Sequence, residues 1–281
     1  MRQCIFADDM ARIDFGKWQG TGNDFIVVDD RDGRFPFSAG SSAGDPAVVA
    51  RQLCDRHFGI GSDGLILLQA PRTEGTVYHM EFFNPDGSQS FCGNGSRCAF
   101  AAWSQVQPQA TLRSGAVRFT AIDGEHTATW SDGLVAIGIR DVASVERIDE
   151  RMDYIHTGSP HLLIWVDDPE AIDLIPEAHK HRYGPRFNEA GVNVNFLRWK
   201  DGHLEMRTYE RGVEGETLSC GTGVTAAALS AMERGHTNEN CEVRTRGGNL
   251  RVTAEAASAG GVRAIVLAGP VREVFNGQVE I

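Results

Sequence analysis

The sequence predicts an α+β fold built as two similar lobes. Two observations carry this. Strand-like runs far outnumber convincing helices, and one strand–turn–helix unit occurs twice, once in each half. The first copy is MEFFNPDGSQSFCGNGSRCAFAAW, and the second is LEMRTYERGVEGETLSCGTGVTAAAL. Upstream, GTGNDFIVVDD (20–30) is echoed by TGSPHLLIWVDD (157–168) in the same order.

The strands follow from β-branched and aromatic runs bounded by Gly, Asp, Asn or Pro. In the first half these are 24–30, 63–69, 76–84 and 116–122; in the second, 134–139, 161–168, 192–199, 203–210, 241–248, 250–256 and 262–269. A helix is expected over 45–56, with Asp45 as N-cap and Pro46 in the first turn. Two more follow the glycine motifs, near 94–105 and 222–234, the latter stopped by Gly235. A short one is expected over 176–182. The polar, turn-rich DGEHTATWSDG places the lobe boundary so that residues 1–133 form the N-terminal lobe and 134–267 the C-terminal lobe, with a last strand in 268–281 able to return to the first. Residues 1–14 read as an extension ahead of the first strand.

The bulk properties narrow the function. The 281 residues suffice for one large domain or two of ordinary size. A net charge of −11 argues against a nucleic-acid or anionic-membrane surface, which needs a basic field. No apolar run reaches the roughly 18–20 residues of a membrane helix, and the N-terminus lacks the apolar core of a signal peptide. The expected compartment is the cytoplasm. Six cysteines in a chain this long do not suggest a disulfide scaffold, and without a Cys-x-x-Cys pair no metal site is expected. The only lysines are Lys17, Lys180 and Lys200, none in a glycine motif. Schiff-base chemistry is poorly served, and no cofactor is expected.

The chemistry concentrates in the repeated Cys-Gly-x-Gly. A helix N-terminus offers free N–H groups and a partial positive charge, which together hold an anion. A cysteine just before it gains from the same field, so its pKa is expected to fall toward neutrality. One such unit would suit a cysteine hydrolase. Two, from symmetric halves facing one cleft, can present sulfurs to opposite faces of a carbon next to a carboxylate. One takes a proton while the other returns one. Cys92 and Cys220 are those candidates, with Gly93, Asn94, Gly221 and Thr222 as the carboxylate cradle. Cys4, Cys54, Cys98 and Cys241 read as packing residues, although Cys92 and Cys98 are close enough in sequence for an adventitious disulfide.

At this point the chain resembles the diaminopimelate epimerase family over roughly 15–281. The motifs are GTGNDFIVVD, RHFGIGSDGLILL (56–68), FFNPDGSQSFCGNGSRC (82–98), GSPH (158–161), GVNVNF (191–196) and YERGVEGETLSCGTGVTAA (209–227). The resemblance implies a pyridoxal-independent, two-base epimerase interconverting L,L- and meso-diaminopimelate in lysine and peptidoglycan synthesis. It implies that each lobe is a mostly antiparallel, β-barrel-like sheet around a central helix, and it admits a homodimer. It makes Cys92 and Cys220 the base and acid. It makes Asn23, Asn84 and Asn193 substrate-holding side chains, and Glu210 and Arg211 an acidic–basic pair. Arg211 suits a distal carboxylate, and Glu210 an ammonium. His161 matches a histidine near the thiols, either aiding proton balance or serving structure. Asn84 and Asn23 are also good turn residues, and Glu210–Arg211 also reads as a solvated pair. Three departures stand out: Ser159 where many members have Asn, one extra residue between Arg211 and Cys220, and Gly64 where some carry Gln. A proline or hydroxyproline epimerase on the same scaffold, a one-cysteine hydrolase with His161, and a non-catalytic amino-acid-binding protein are the other readings.

Overall fold

The computed structural model describes residues 12–33, 35, 45–108, 115–257 and 261–281. The expected packing role of Cys4 and most of the N-terminal extension lie outside them. Among the described residues, seventeen strands form one continuous sheet, and four α-helices accompany it, as an α+β fold requires.

Seven strands make the first set: β1 (Arg12–Gly20), β2 (Asn23–Asp30), β3 (Leu65–Gln69), β4 (His79–Phe83), β5 (Val117–Ala121), β6 (Gly124–Ser131) and β7 (Leu134–Gly138). They pair in sequence order. The β2–β3 and β4–β5 contacts are parallel and the rest antiparallel. The second set is β9 (Met152–His156), β10 (Pro160–Trp165), β11 (Asn193–Lys200), β12 (His203–Glu210), β14 (Asn240–Thr245), β15 (Gly248–Ala256) and β16 (Val262–Gly269). Its pairings repeat the first pattern step for step, with β10–β11 and β12–β14 parallel. β13 (Gly215–Thr217) is a short addition on β12. The repeat seen in the sequence is thus a repeat of hydrogen-bond pattern.

The two sets join where β7 pairs antiparallel with β16. At the outer edges they exchange strands. After β7 the chain crosses to β8 (Glu146–Arg147), which lies on β9; after β16 it crosses to β17 (Arg272–Glu280), which runs the length of β1.

Each set wraps one helix. α2 (Gly93–Gln105) packs on strands of the first and α4 (Gly221–Glu233) on strands of the second. Both helices are buried around nearly their whole circumference, which their alanines allow by letting strands approach from every side. Their apolar faces belong to one core that spans both lobes. α1 (Pro46–Cys54) and α3 (Leu174–Arg182) cover the outer faces. Asp45 caps α1 by accepting the Ala47 N–H at 2.9 Å. α1 stops two residues short of the expected end because Asp55 turns its carboxylate to the N–H groups of His57 and Phe58, both at 2.7 Å. Gly235, with φ +76°, follows α4 as its left-handed stop.

Several strands escaped the sequence reading. β6 occupies part of the stretch read as turn-rich, because only His126 and Ala128 face inward along it. In β1 the inward set includes Lys17, whose polar head hides the alternation. Cys54, Cys98 and Cys241 are buried and free, in keeping with packing.

Candidate active site

The N-termini of α2 and α4 meet beneath the seam. Cys92 is the N-cap of α2, with φ −126° and ψ 107°; Cys220 caps α4, with φ −119° and ψ 113°. The two cysteines therefore enter their helices with nearly the same backbone. The helix starts come together because their first residues are glycines. A Cβ on Gly93 would lie 3.8 Å from Gly221 Cα, and a Cβ on Gly221 would lie 3.1 Å from Asn94 Oδ1. Leu267 on β16 fills the space below both, 3.2 Å from either such Cβ. A side chain at Gly221 would crowd Asn94, and one at either position would crowd Leu267.

Asn94 ties the junction across the lobes. Its Nδ2 donates to Asn23 Oδ1 at 2.6 Å and to the carbonyl of Ser219, the residue before Cys220, at 3.1 Å. Asn23 in turn donates to Asp63 Oδ2 at 3.0 Å. Asp63 shares Arg56 with Asp24, at 2.6 and 2.8 Å, and Asp24 also pairs with the buried Lys17 at 2.6 Å. Asp24, Arg56 and Asp63 thus brace one wall. Arg56 and Asp63 belong to the 56–68 motif, but nothing local in that motif marks them for this brace.

The second cysteine has its own set of partners. Cys220 Sγ lies 3.4 Å from Thr222 Oγ1. Thr222, Ser159 Oγ and His161 Nε2 form a closed triangle with sides of 2.9–3.0 Å. Asn193 donates to Ser159 and Pro160 O and accepts the Arg211 N–H. Asn195, which the sequence reading passed over, reaches His161 Nδ1 at 3.3 Å. The available signal was strand periodicity, since residues two apart on β11 share a face.

The remaining candidates lie around this centre. The half-buried carboxylate of Glu210 accepts from Thr217 Oγ1 at 2.9 Å, and burial and nearby Asp63 raise its pKa. Its charge acts on both thiols. Asn84 spends its amide inside its own turn, on Ser88 and Ser90, and so shapes the loop leading to Cys92. Arg211 is exposed and donates to Ala190 O at 2.7 Å. It lines a cleft of about 440 Å³ with His156, Gly158, Pro160 and Arg186, one residue either side of Ser159. Gly64 has no room for a side chain, since a Cβ there would lie 2.2 Å from the Phe82 ring.

The electrostatics depart from the expectation of acidified thiols. Burial pushes Cys92 up to about 11, against the opposing pull of the Gly95 N–H and Arg97. Cys220 is raised further, by burial and then by Glu210. Desolvating a thiolate here outweighs what one helix terminus returns. In the free protein Cys92 should therefore alkylate slowly at neutral pH, where the thiol keeps its proton, and faster as pH climbs toward about 11. Iodoacetamide labelling across a pH series, read by peptide mass, checks this. An inflection near neutrality would show that the helix field wins.

Comparison with known proteins places this geometry. The sequence model of a family described as Diaminopimelate epimerase matches residues 15–133 and 154–274, one stretch in each half. A protein named diaminopimelate epimerase from Flavobacterium psychrophilum is 38% identical over 264 residues, covering 92% of this chain and 97% of that one. One from Methanocella arvoryzae is 35% identical, covering 97% and 98%. Among solved structures, a hydroxyproline epimerase from Agrobacterium vitis superposes with a TM-score of 0.68 at 13% identity, covering 96% of this chain and 93% of that one. A Bacillus anthracis phenazine biosynthesis protein of the PhzF family also scores 0.68 at 13% identity, covering 97% and 100%. At such identities the likeness is one of fold.

Proposed function

The chain belongs to the diaminopimelate epimerase family, and from that premise we propose that it inverts one stereocentre of diaminopimelate with Cys92 and Cys220 as opposed base and acid. It is an isomerase acting on diaminopimelate. The observation that carries the two-thiol mechanism is the pair of cysteine N-caps on helices whose starts lie side by side.

In this mechanism the substrate's reacting carboxylate sits on the N–H groups of the two helix starts. Negative charge spreading from the α-carbon into that carboxylate is met by fixed donors, each worth roughly 3–4 kcal/mol in comparable oxyanion sites. One thiolate removes the α-hydrogen and the other thiol delivers a proton to the opposite face. Because burial holds both thiols protonated, one must first give its proton up to solvent. The substrate ammonium brings the positive charge that offsets a buried thiolate. Glu210, half-buried and near enough for its charge to act on both thiols, accepts from that ammonium. Arg211 and its cleft receive the distal head.

The proposal includes operation without pyridoxal phosphate, within lysine and peptidoglycan synthesis, in the cytoplasm and as a homodimer. For the first, Lys17 is buried in its ion pair with Asp24, and Lys180 is paired on the surface with Glu177. Among the described residues no helix is long and apolar enough to cross a membrane. For a second copy, β17 offers an outer edge with Val274 and Phe275 exposed. The test is turnover of L,L-diaminopimelate in deuterated water. The inverted product should carry deuterium at its α-carbon, and product formed without label would rule out exchange through a thiol.

A further inference from the structure

The hydrogen bonds around His161 have a direction, and two asparagines set it. Asn193 Oδ1 accepts the Arg211 N–H at 2.8 Å, and its Nδ2 donates to Pro160 O at 3.0 Å. Asn195 Nδ2 donates to Leu162 O at 3.1 Å, while its Oδ1 accepts from Thr208 Oγ1 at 3.0 Å. A backbone N–H only donates and a backbone carbonyl only accepts, so neither amide can be turned over.

The consequence runs outward from β11. Asn195 Nδ2 faces His161 Nδ1 at 3.3 Å, so Nδ1 must be the bare, accepting nitrogen. The ring proton of the neutral imidazole then sits on Nε2. Burial keeps the ring neutral by pushing its pKa down to about 3. Nε2–H is 2.9 Å from Ser159 Oγ and 3.0 Å from Thr222 Oγ1. Ser159 also accepts from Asn193 Nδ2 at 3.3 Å. With the shorter Nε2–H contact and the Asn193 amide filling its acceptor positions, Ser159 sends its own hydrogen to Thr222 Oγ1, 3.0 Å away. Thr222 then has one hydrogen left, and Cys220 Sγ is the acceptor at 3.4 Å.

We infer that Asn193 and Asn195 fix a one-way chain of donors, through His161, Ser159 and Thr222, that ends on the sulfur of Cys220 and makes His161 a positioning residue and not a proton acceptor. The inference rests on the reading of Cys220 as an acid–base group. Its chemical sense is that the chain favours Cys220 as thiolate, since every hydrogen points toward the sulfur. His161 cannot take the thiol proton, because its one bare nitrogen faces an amide donor. Two features of the sequence fit this chain. Serine at 159 supplies a hydroxyl that accepts twice and donates once. Glycine at 223 lets the network lie against α4, where a Cβ would come within 2.9 Å of Asn195 Oδ1 and 3.3 Å of His161 Nδ1.

Nitrogen NMR on the full chain labelled at histidine tests the tautomer directly. Across the neutral pH range Nδ1 should resonate as a pyridine-type nitrogen and Nε2 as a pyrrole-type one; a proton on Nδ1 overturns the inference. His161→Gln supplies the second arm, because its amide can donate from near the Nε2 position yet cannot relay a proton. A donor role predicts a loss in kcat of about tenfold or less, the scale of one neutral hydrogen bond. A loss of about 100-fold or more, in protein that melts like the parent, is the scale of general acid–base catalysis and overturns it. Should the wild-type chain fail to epimerise diaminopimelate, the proposed function falls, while the NMR arm still decides the donor chain.

Discussion

Replacing Cys92 or Cys220 with alanine is expected to cut epimerisation by on the order of 100- to 10,000-fold or more, the range attached to a positioned proton-transfer group. The effect should be equal in kind for the two, because inversion needs a proton removed from one face and delivered to the other. A single surviving thiol can do only half of that. The fold should persist. Cys92 gives up one capping contact, from the Gly95 N–H at 3.3 Å, worth about 1 kcal/mol. Cys220 gives up a small buried side chain. Product formation by chiral separation, with a thermal melt as control, measures both. A folded alanine variant that turns over at the parental rate would end the two-thiol mechanism.

Asp153→Ala is expected to destabilise the protein by about 3–5 kcal/mol, the cost of stranding a largely buried partner charge. Asp153 has no exposed surface. It accepts from Arg234 Nε at 2.7 Å and Nη2 at 2.9 Å, from Ser230 Oγ at 2.5 Å and from Trp165 Nε1 at 3.4 Å. Ser230 and Arg234 are the last turn and the C-cap of α4, so this carboxylate on β9 anchors the far end of the helix that Cys220 caps. Removing it leaves the Arg234 guanidinium, with only 12% of its side chain exposed, facing a void. Denaturant unfolding should show the loss in midpoint. A shift worth under 1 kcal/mol would mean that water or another acceptor takes over.

The catalytic candidates were legible because their signal is local and doubled. Cys-Gly-x-Gly after a strand and before an alanine-rich run defines a helix start, and its recurrence defines a pair. The parts that stayed hidden depend on partners far apart in the chain. Asp24, Arg56 and Asp63 become a brace only once β2 lies beside the loop before β3. Asn195 looked like any strand polar residue until Thr208 and Leu162 fixed its amide. The thiol pKa values went the other way from expectation because helix-end fields can be read from sequence, whereas depth of burial cannot. Two of the strands missed, β1 and β6, are those where a buried polar side chain, Lys17 or His126, interrupts the apolar count.

The exchange of β8 and β17 between the lobes has a consequence for synthesis. A ribosome that has released the first seven strands has delivered a sheet whose β1 edge is still bare, and its proper neighbour lies some 250 residues downstream. The first lobe is therefore finished last, after the second has been made. Until residues 272–280 emerge, that edge is open to pairing with the wrong chain. Once β17 docks, the beginning and end of the described chain are zipped side by side, Arg12 opposite Glu280. The unit that folds is then the whole molecule.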